Sequence, residues 1–124
     1  MTRALTPELL LQAYANGYFP MAETRDSEEL YWFTPEHRGI LPLETFHTPK
    51  SLTKALKKSP FRLSLNEAFP AVIRACAQKR PERPESWINA KIIELYTALW
   101  QMGFAHSVEC WNGETLAGGL YGVS

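Results

Sequence analysis

The stretch His106-Ser107-Val108-Glu109-Cys110-Trp111-Asn112-Gly113-Glu114-Thr115-Leu116-Ala117-Gly118-Gly119-Leu120-Tyr121-Gly122-Val123 decides the fold class. Residues 106–111 read as a strand, and Asn112-Gly113 is the favoured pair for a type I′ turn, whose two central residues need positive φ. Residues 114–123 then run back as a second strand. That strand is apolar nearly throughout, which predicts a central position covered on both faces. No partner strand follows it before Ser124, and an isolated hairpin is at best marginally stable. The sequence is therefore expected to break off inside a sheet, as the front part of a larger α+β protein.

Working back from the hairpin, a helix is predicted over about 88–102. Ile88, Ile92, Leu95, Tyr96, Leu99 and Met102 mark its apolar face, and Gly103 stops it. Residues 78–85 are charged and proline-bearing and read as an exposed loop. Asn66 is expected to cap a helix running to Ala77, with Pro70 in its first turn and an apolar stripe of Phe69, Val72, Ile73 and Cys76. Phe61 to Leu65 alternates with period two, as a strand does. A further helix over 49–58 is expected to be capped by Thr48 and stopped before Pro60. The first helix carries Thr6 as N-cap, Pro7 at the first position and Asn16-Gly17 as its stop. Between the first two helices, Tyr18 to Met21 reads as an aromatic turn, Leu30 to Phe33 as a short strand and Gly39 to Leu43 as a second extended piece.

Thirteen basic and thirteen acidic side chains cancel, so any nucleic-acid contact must come from a local cluster. Such a cluster exists. Lys50, Lys54, Lys57 and Lys58 share one helix face and Arg62 follows, with no acidic residue between Lys50 and Arg62. Pairing along the helix cannot account for the stripe; a solvated face and a phosphate-tracking surface both can. Cys76 and Cys110 lack metal-ligand spacing and read as reduced, buried, small hydrophobes. No signal peptide is visible, and no apolar run approaches the ~20 residues that span a bilayer. The expectation is a cytoplasmic protein with no membrane contact.

Individual residues keep two readings at this level. Trp87, after a charged loop, is not expected by local context to be deep core and reads as a staple at a helix start, a reading that the resemblance below sets beside a stacking role. Tyr96, on an apolar helix face, reads as a core aromatic, and Tyr14 is similar. Ser107 and Glu109 lie on one face of their strand, whereas His106 and Glu109 point to opposite faces and cannot act together. His106 is therefore read as a structural hydrogen-bonding residue. No nucleophilic triad, phosphate loop or metal cluster can be argued from the sequence.

The motifs Tyr14-Ala15-Asn16-Gly17-Tyr18-Phe19-Pro20, Tyr31-Trp32-Phe33-Thr34-Pro35, Ser59-Pro60-Phe61-Arg62, Trp87-Ile88, Ala105 to Trp111 and Gly118 to Val123 occur in order. Together they resemble the bacterial leucyl/phenylalanyl-tRNA–protein transferases, over almost the whole chain. The resemblance implies a small N-terminal α+β domain over 1–60 and, over 61–124, the first part of a GNAT-like acyltransferase domain. It implies transfer of Leu, Phe or Met from aminoacyl-tRNA to proteins with an N-terminal Lys or Arg, marking them for N-end-rule degradation. It implies no cofactor, and a monomer at full length. It places Trp87, Tyr96, Tyr14 and Met21 at the aminoacyl-adenosine site and Leu120 in the wall of the amino-acid pocket. For Lys50, Lys54, Lys57, Lys58 and Arg62 it favours the tRNA backbone. Met21 departs from the family, where a Trp often stacks on the base. The carboxylate expected to handle the amine proton lies beyond Ser124, so this half alone is expected to be inactive. Two rival readings are a non-catalytic RNA-binding module and an acyl-coenzyme A-dependent acyltransferase; the second is disfavoured because no pyrophosphate loop is visible.

Overall fold

The computed structural model describes residues 5–124. Helix α1 (Pro7–Ala15) begins where expected, with the Thr6 hydroxyl accepting from the Leu9 amide at 3.2 Å. It ends at Gly17, whose φ of +86° is open to glycine at little cost. Strands β1 (Phe19–Met21) and β2 (Tyr31–Phe33) form an antiparallel ribbon pairing Phe19 with Phe33, Pro20 with Trp32 and Met21 with Tyr31. A single 3₁₀ turn (Leu43–Thr45) and helix α2 (Lys50–Lys58) follow. Next come β3 (Arg62–Leu65), α3 (Phe69–Ala77), α4 (Ala90–Gln101), β4 (Ala105–Asn112) and β5 (Thr115–Val123). The last two strands form the expected hairpin, but its turn is Gly113-Glu114 and not Asn112-Gly113. Asn112 pairs with Thr115 in the ladder, and of these residues Gly113 alone has positive φ, +62°, so the type I′ geometry is not formed. The larger sheet is antiparallel in the order β3-β4-β5.

Helices α3 and α4 cover one face of this sheet, and α1 packs on α4. Leu10, Phe69, Ile73, Ile92, Leu95, Tyr96, Leu99 and Ala105 are the buried apolar centre between them. Helix α3 approaches β5 closely at Gly119. A Cβ built there would lie 3.0 Å from Val72 Cγ2 and 3.3 Å from the Val108 carbonyl oxygen. An added methyl group would require Val72 or the β4 backbone to give by a few tenths of an ångström.

The covered face also holds a buried polar cluster centred on Glu109, which is 0% exposed. Its carboxylate accepts hydrogen bonds from Ser64 Oγ at 2.6 Å, the Glu67 amide at 3.2 Å, the Ala68 amide at 3.3 Å and the Ser107 hydroxyl. Trp111 Nε1 donates to Ser64 Oγ at 2.8 Å. Burial pushes the Glu109 carboxyl upward, but the hydroxyls of Ser107 and Ser64 and the two amides outweigh it. The net shift is below the ordinary carboxylate value.

Several expectations change. Residues 19–21 form a strand, not an aromatic turn, because β2 supplies a ladder partner at a sequence distance that local patterning does not reveal. Residues 39–43 pair with nothing among the described residues and are exposed. Thr48 does not cap α2; Pro49 stands at the cap position with no side-chain bond. Asn66 does not cap α3 either. It takes φ +56°, and its Oδ1 accepts from the Ser107 amide at 2.9 Å, while α3 starts at Phe69. Helix α4 starts at Ala90, capped by Asn89, and Met102 beyond its end is exposed. Both cysteines are free but only half-buried.

Strand β5 is covered on one face only. On the other face Leu65, Val108 and Leu120 lie in one cross-strand row beside Leu63, and all four are exposed, Leu120 at 69%. Among the described residues β5 has β4 as its single ladder neighbour and lies at the sheet edge.

Two outcomes test this description. Gly119→Ala should destabilise the fold by about 1–3 kcal/mol in denaturant melts, as overpacked cores do. Gly118→Ala, whose added Cβ would lie 3.9 Å from Cys110 Cβ, should be nearly neutral. Glu109→Gln should lower stability by about 2–3 kcal/mol at neutral pH, the range for hydrogen bonds to a charged group. Because the folded pKa is depressed, the Glu109 contribution is present above the ordinary Glu pKa of about 4.3 and lost as pH falls through the folded value. A stability–pH curve of the variant should lack that acid-side loss.

Candidate functional site

Helices α1 and α4 bring Tyr14 and Tyr96 together. Their hydroxyls share a hydrogen bond, and the rings meet edge to face at 6.2 Å. Tyr121 of β5 stands edge-on to Tyr96 at 5.8 Å, and its hydroxyl is buried without a hydrogen-bond partner among the described residues. Burial raises all three phenol pKa values. For Tyr14 the Tyr96 hydrogen bond and Arg38 pull back part of the rise; for Tyr96 the pairing with Tyr14 adds to it. Sequence alone pointed to Tyr14 and Tyr96 but not to Tyr121, which read as part of an apolar strand.

The chain just after Met21 is tied to Trp87 through the backbone, since the Ala22 amide donates to the Trp87 carbonyl at 2.9 Å. The Trp87 ring is 37% exposed, so it is not a core residue. Asn89 fixes the segment. Its Oδ1 accepts from the Ile92 amide and its Nδ2 donates to the Ser27 carbonyl, both at 2.9 Å. On the other side of Met21, the β1–β2 ribbon opens into a recess of about 300 Å³ lined by Met21, Ala22, Glu23, Tyr31 and Phe33. Ala22, Ile92 and Tyr96 belong to one buried apolar cluster, with Tyr14 packed against it. The aromatic pair and the Met21–Trp87 connection are thus built on a common base.

Lys50, Lys54, Lys57 and Lys58 are exposed along α2. Among the described residues none of them has a carboxylate within ion-pair distance, in contrast to Lys79 and Lys91. Arg62 has partners that these lysines lack. It pairs with Glu67 at 3.0 Å and lies over the Trp111 ring at 5.6 Å, so it is engaged with the sheet. Leu120 also stands apart. It projects from the open face of β5, whereas Tyr121, its neighbour, lies on the helix-covered face with Ser107. His106 bonds Asn66 Nδ2 at 3.2 Å and Ser124 Oγ at 2.9 Å, in keeping with a structural role.

Residues 40–124 match the family model described as leucyl/phenylalanyl-tRNA protein transferase, and residues 3–36 match that of its N-terminal domain. The chain belongs to this family. A leucyl/phenylalanyl-tRNA–protein transferase of Paramagnetospirillum magneticum is 53% identical over 122 residues, covering 98% of this chain and 58% of that protein. Proteins of the same name from Hyphomonas neptunium and Rhodospirillum rubrum are 50% and 48% identical, and the chain covers 48% and 57% of their lengths. The chain thus spans about half the length of the curated relatives it matches. No helix among the described residues is long and apolar enough to cross a membrane.

The phenol environment yields a measurable outcome. Raised folded pKa values mean that stability is retained below the ordinary tyrosine value of about 10 and lost as pH rises toward the folded values. In an alkaline titration followed at the phenolate band, Tyr14, Tyr96 and Tyr121 should ionise only late or on unfolding.

Proposed function

We propose that this chain is the tRNA-facing part of an aminoacyltransferase that moves Leu, Phe or Met from aminoacyl-tRNA onto proteins with an N-terminal Lys or Arg, in N-end-rule degradation. The observation that carries the reading is the shared base for Tyr14, Tyr96, Met21 and Trp87 in a chain of this family. These are the residues to which resemblance assigns the aminoacyl-adenosine. Aromatic faces hold nucleobases by stacking, and Met21 offers an apolar contact of weaker kind. Leu120, on the open sheet face, is assigned to the wall of the amino-acid pocket. An apolar wall favours Leu and Phe over charged residues.

An aminoacyl ester is already activated. The reaction then needs the amine held at near-attack distance, a proton removed and the developing oxyanion stabilised. No coenzyme is required by this chemistry. We assign no catalytic residue within these residues; by resemblance the carboxylate that handles the amine proton follows the Gly118–Val123 strand. Residues 61–124 would then be the first part of a GNAT-like domain and residues 1–60 a small domain in front of it, in a cytoplasmic monomer at full length.

The α2 stripe supplies the RNA-backbone contact in this reading. Replacing Lys50, Lys54 and Lys57 by Gln should weaken tRNA binding and reduce the slope of log affinity against log salt by roughly two to three. Unchanged affinity in a filter-binding assay would refute the backbone assignment. A second reading, an RNA-binding module without transfer, draws on the exposed α2 lysines and the exposed aromatic side chains of the β1–β2 ribbon. Labelled leucine carried from Leu-tRNA to a protein with N-terminal Arg by this chain alone would exclude it.

A further inference from the structure

The recess between β1 and β2 shares Met21 with the proposed adenosine site, yet none of its other lining residues belongs to that site. Met21 and Tyr31 are cross-strand partners, as are Phe19 and Phe33, so all four side chains stand on one face of the ribbon. Tyr31 and Phe33 are 47% and 43% exposed, an unusual position for paired rings. Both rings are held in place. The Tyr31 hydroxyl donates to Glu29 Oε2 at 2.8 Å, and Phe33 stacks on Phe19 with centroids 6.2 Å apart. Arg38 lies over Phe19 and donates to the Gly17 carbonyl, which steadies that ring in turn. The wall is completed by Glu23, whose carboxylate has no cationic partner within ion-pair distance among the described residues.

Exposed, immobilised rings beside an acceptor-only carboxylate suit one kind of ligand: a flat ring that carries an N–H donor. The volume, about 300 Å³, is at the lower end for small-molecule pockets, enough for one base. Resting on the reading above, we propose that this recess binds the base next to the terminal adenosine of the RNA 3′ end. The base stacks against Tyr31 and Phe33 while Glu23 accepts from its exocyclic amino group. Cytosine presents such a donor where uracil presents a carbonyl oxygen. Single-stranded ends are commonly read in this way, by stacking together with bonds to base edges. The ring face that Met21 lacks is thus supplied one step along the strand.

The test compares adenosine, the dinucleotide CpA and the dinucleotide UpA by tryptophan fluorescence titration against the full chain. CpA should bind about tenfold tighter than adenosine, the size of one stacked base, and tighter than UpA. Tyr31→Ala with Phe33→Ala should remove the gain over adenosine, and Tyr31→Phe should retain most of it. Glu23→Gln should remove the preference of CpA over UpA while leaving the stacking gain. Since these side chains are exposed, circular dichroism should show all variants folded. CpA binding no tighter than adenosine, or a gain indifferent to the aromatic replacements, would overturn the recess while leaving the adenosine site intact. Equal affinities for CpA and UpA would overturn the role of Glu23. Adenosine failing to bind at all would sink the functional reading itself, and the recess with it.

Discussion

A single buried carboxylate organises the larger sheet. Glu109 collects donors from β3, from β4 and from the backbone just ahead of α3. Its charge lies where the first amides of a helix would otherwise be unsatisfied and where the helix dipole favours an anion. The strand order, the start of α3 and the side of the sheet on which helices sit are therefore coupled through one residue. The Trp111 indole and Arg62 extend that coupling to the far end of β4. Removing a buried acceptor would leave several donors without a partner, which is a larger penalty than the net value of any one hydrogen bond.

The same arrangement explains why the candidate functional residues divide into two groups. Tyr14, Tyr96 and Tyr121 meet in the layer between sheet and helices, because α1 packs on α4 and α4 on β4. Trp87 and Met21 border this layer at the loop before α4. Leu120 follows the alternation of β5 to the opposite face, one residue from Tyr121. In the proposed reaction the adenosine and the amino-acid side chain are therefore handled from different faces of one strand, and the ester linking them must pass its edge.

Much of the framework was legible because it is set locally. Thr6, Pro7 and Gly17 define α1 by themselves, and Gly113 marks the hairpin, although the turn sits one residue later than Asn112-Gly113 suggests. Features that depend on distant partners were not legible. Strand β1 is three residues long, contains Pro20 and exists because β2 pairs with it. Asn66 has the chemistry of a helix cap but spends it on Ser107, some forty residues away. The alternation of β3 implied two faces without saying which one is covered. Ser64 faces the helices because Glu109 and Trp111 are there, and Leu63 and Leu65 face out. For the site, resemblance supplied Trp87, Tyr96, Tyr14 and Met21. The engagement of Arg62 with Glu67 could not be foreseen from a search for acids within the helix that precedes it.

The open row of Leu65, Val108 and Leu120 gives the molecule two surfaces with opposite responses to its solvent. Salt excluded from apolar surface strengthens contacts made by that row. The same salt screens the α2 lysines and loosens whatever phosphate they hold. If the proposed function holds, raising ionic strength therefore acts in opposite senses on the two surfaces, strengthening apolar contact at the sheet and weakening nucleic-acid contact at the helix.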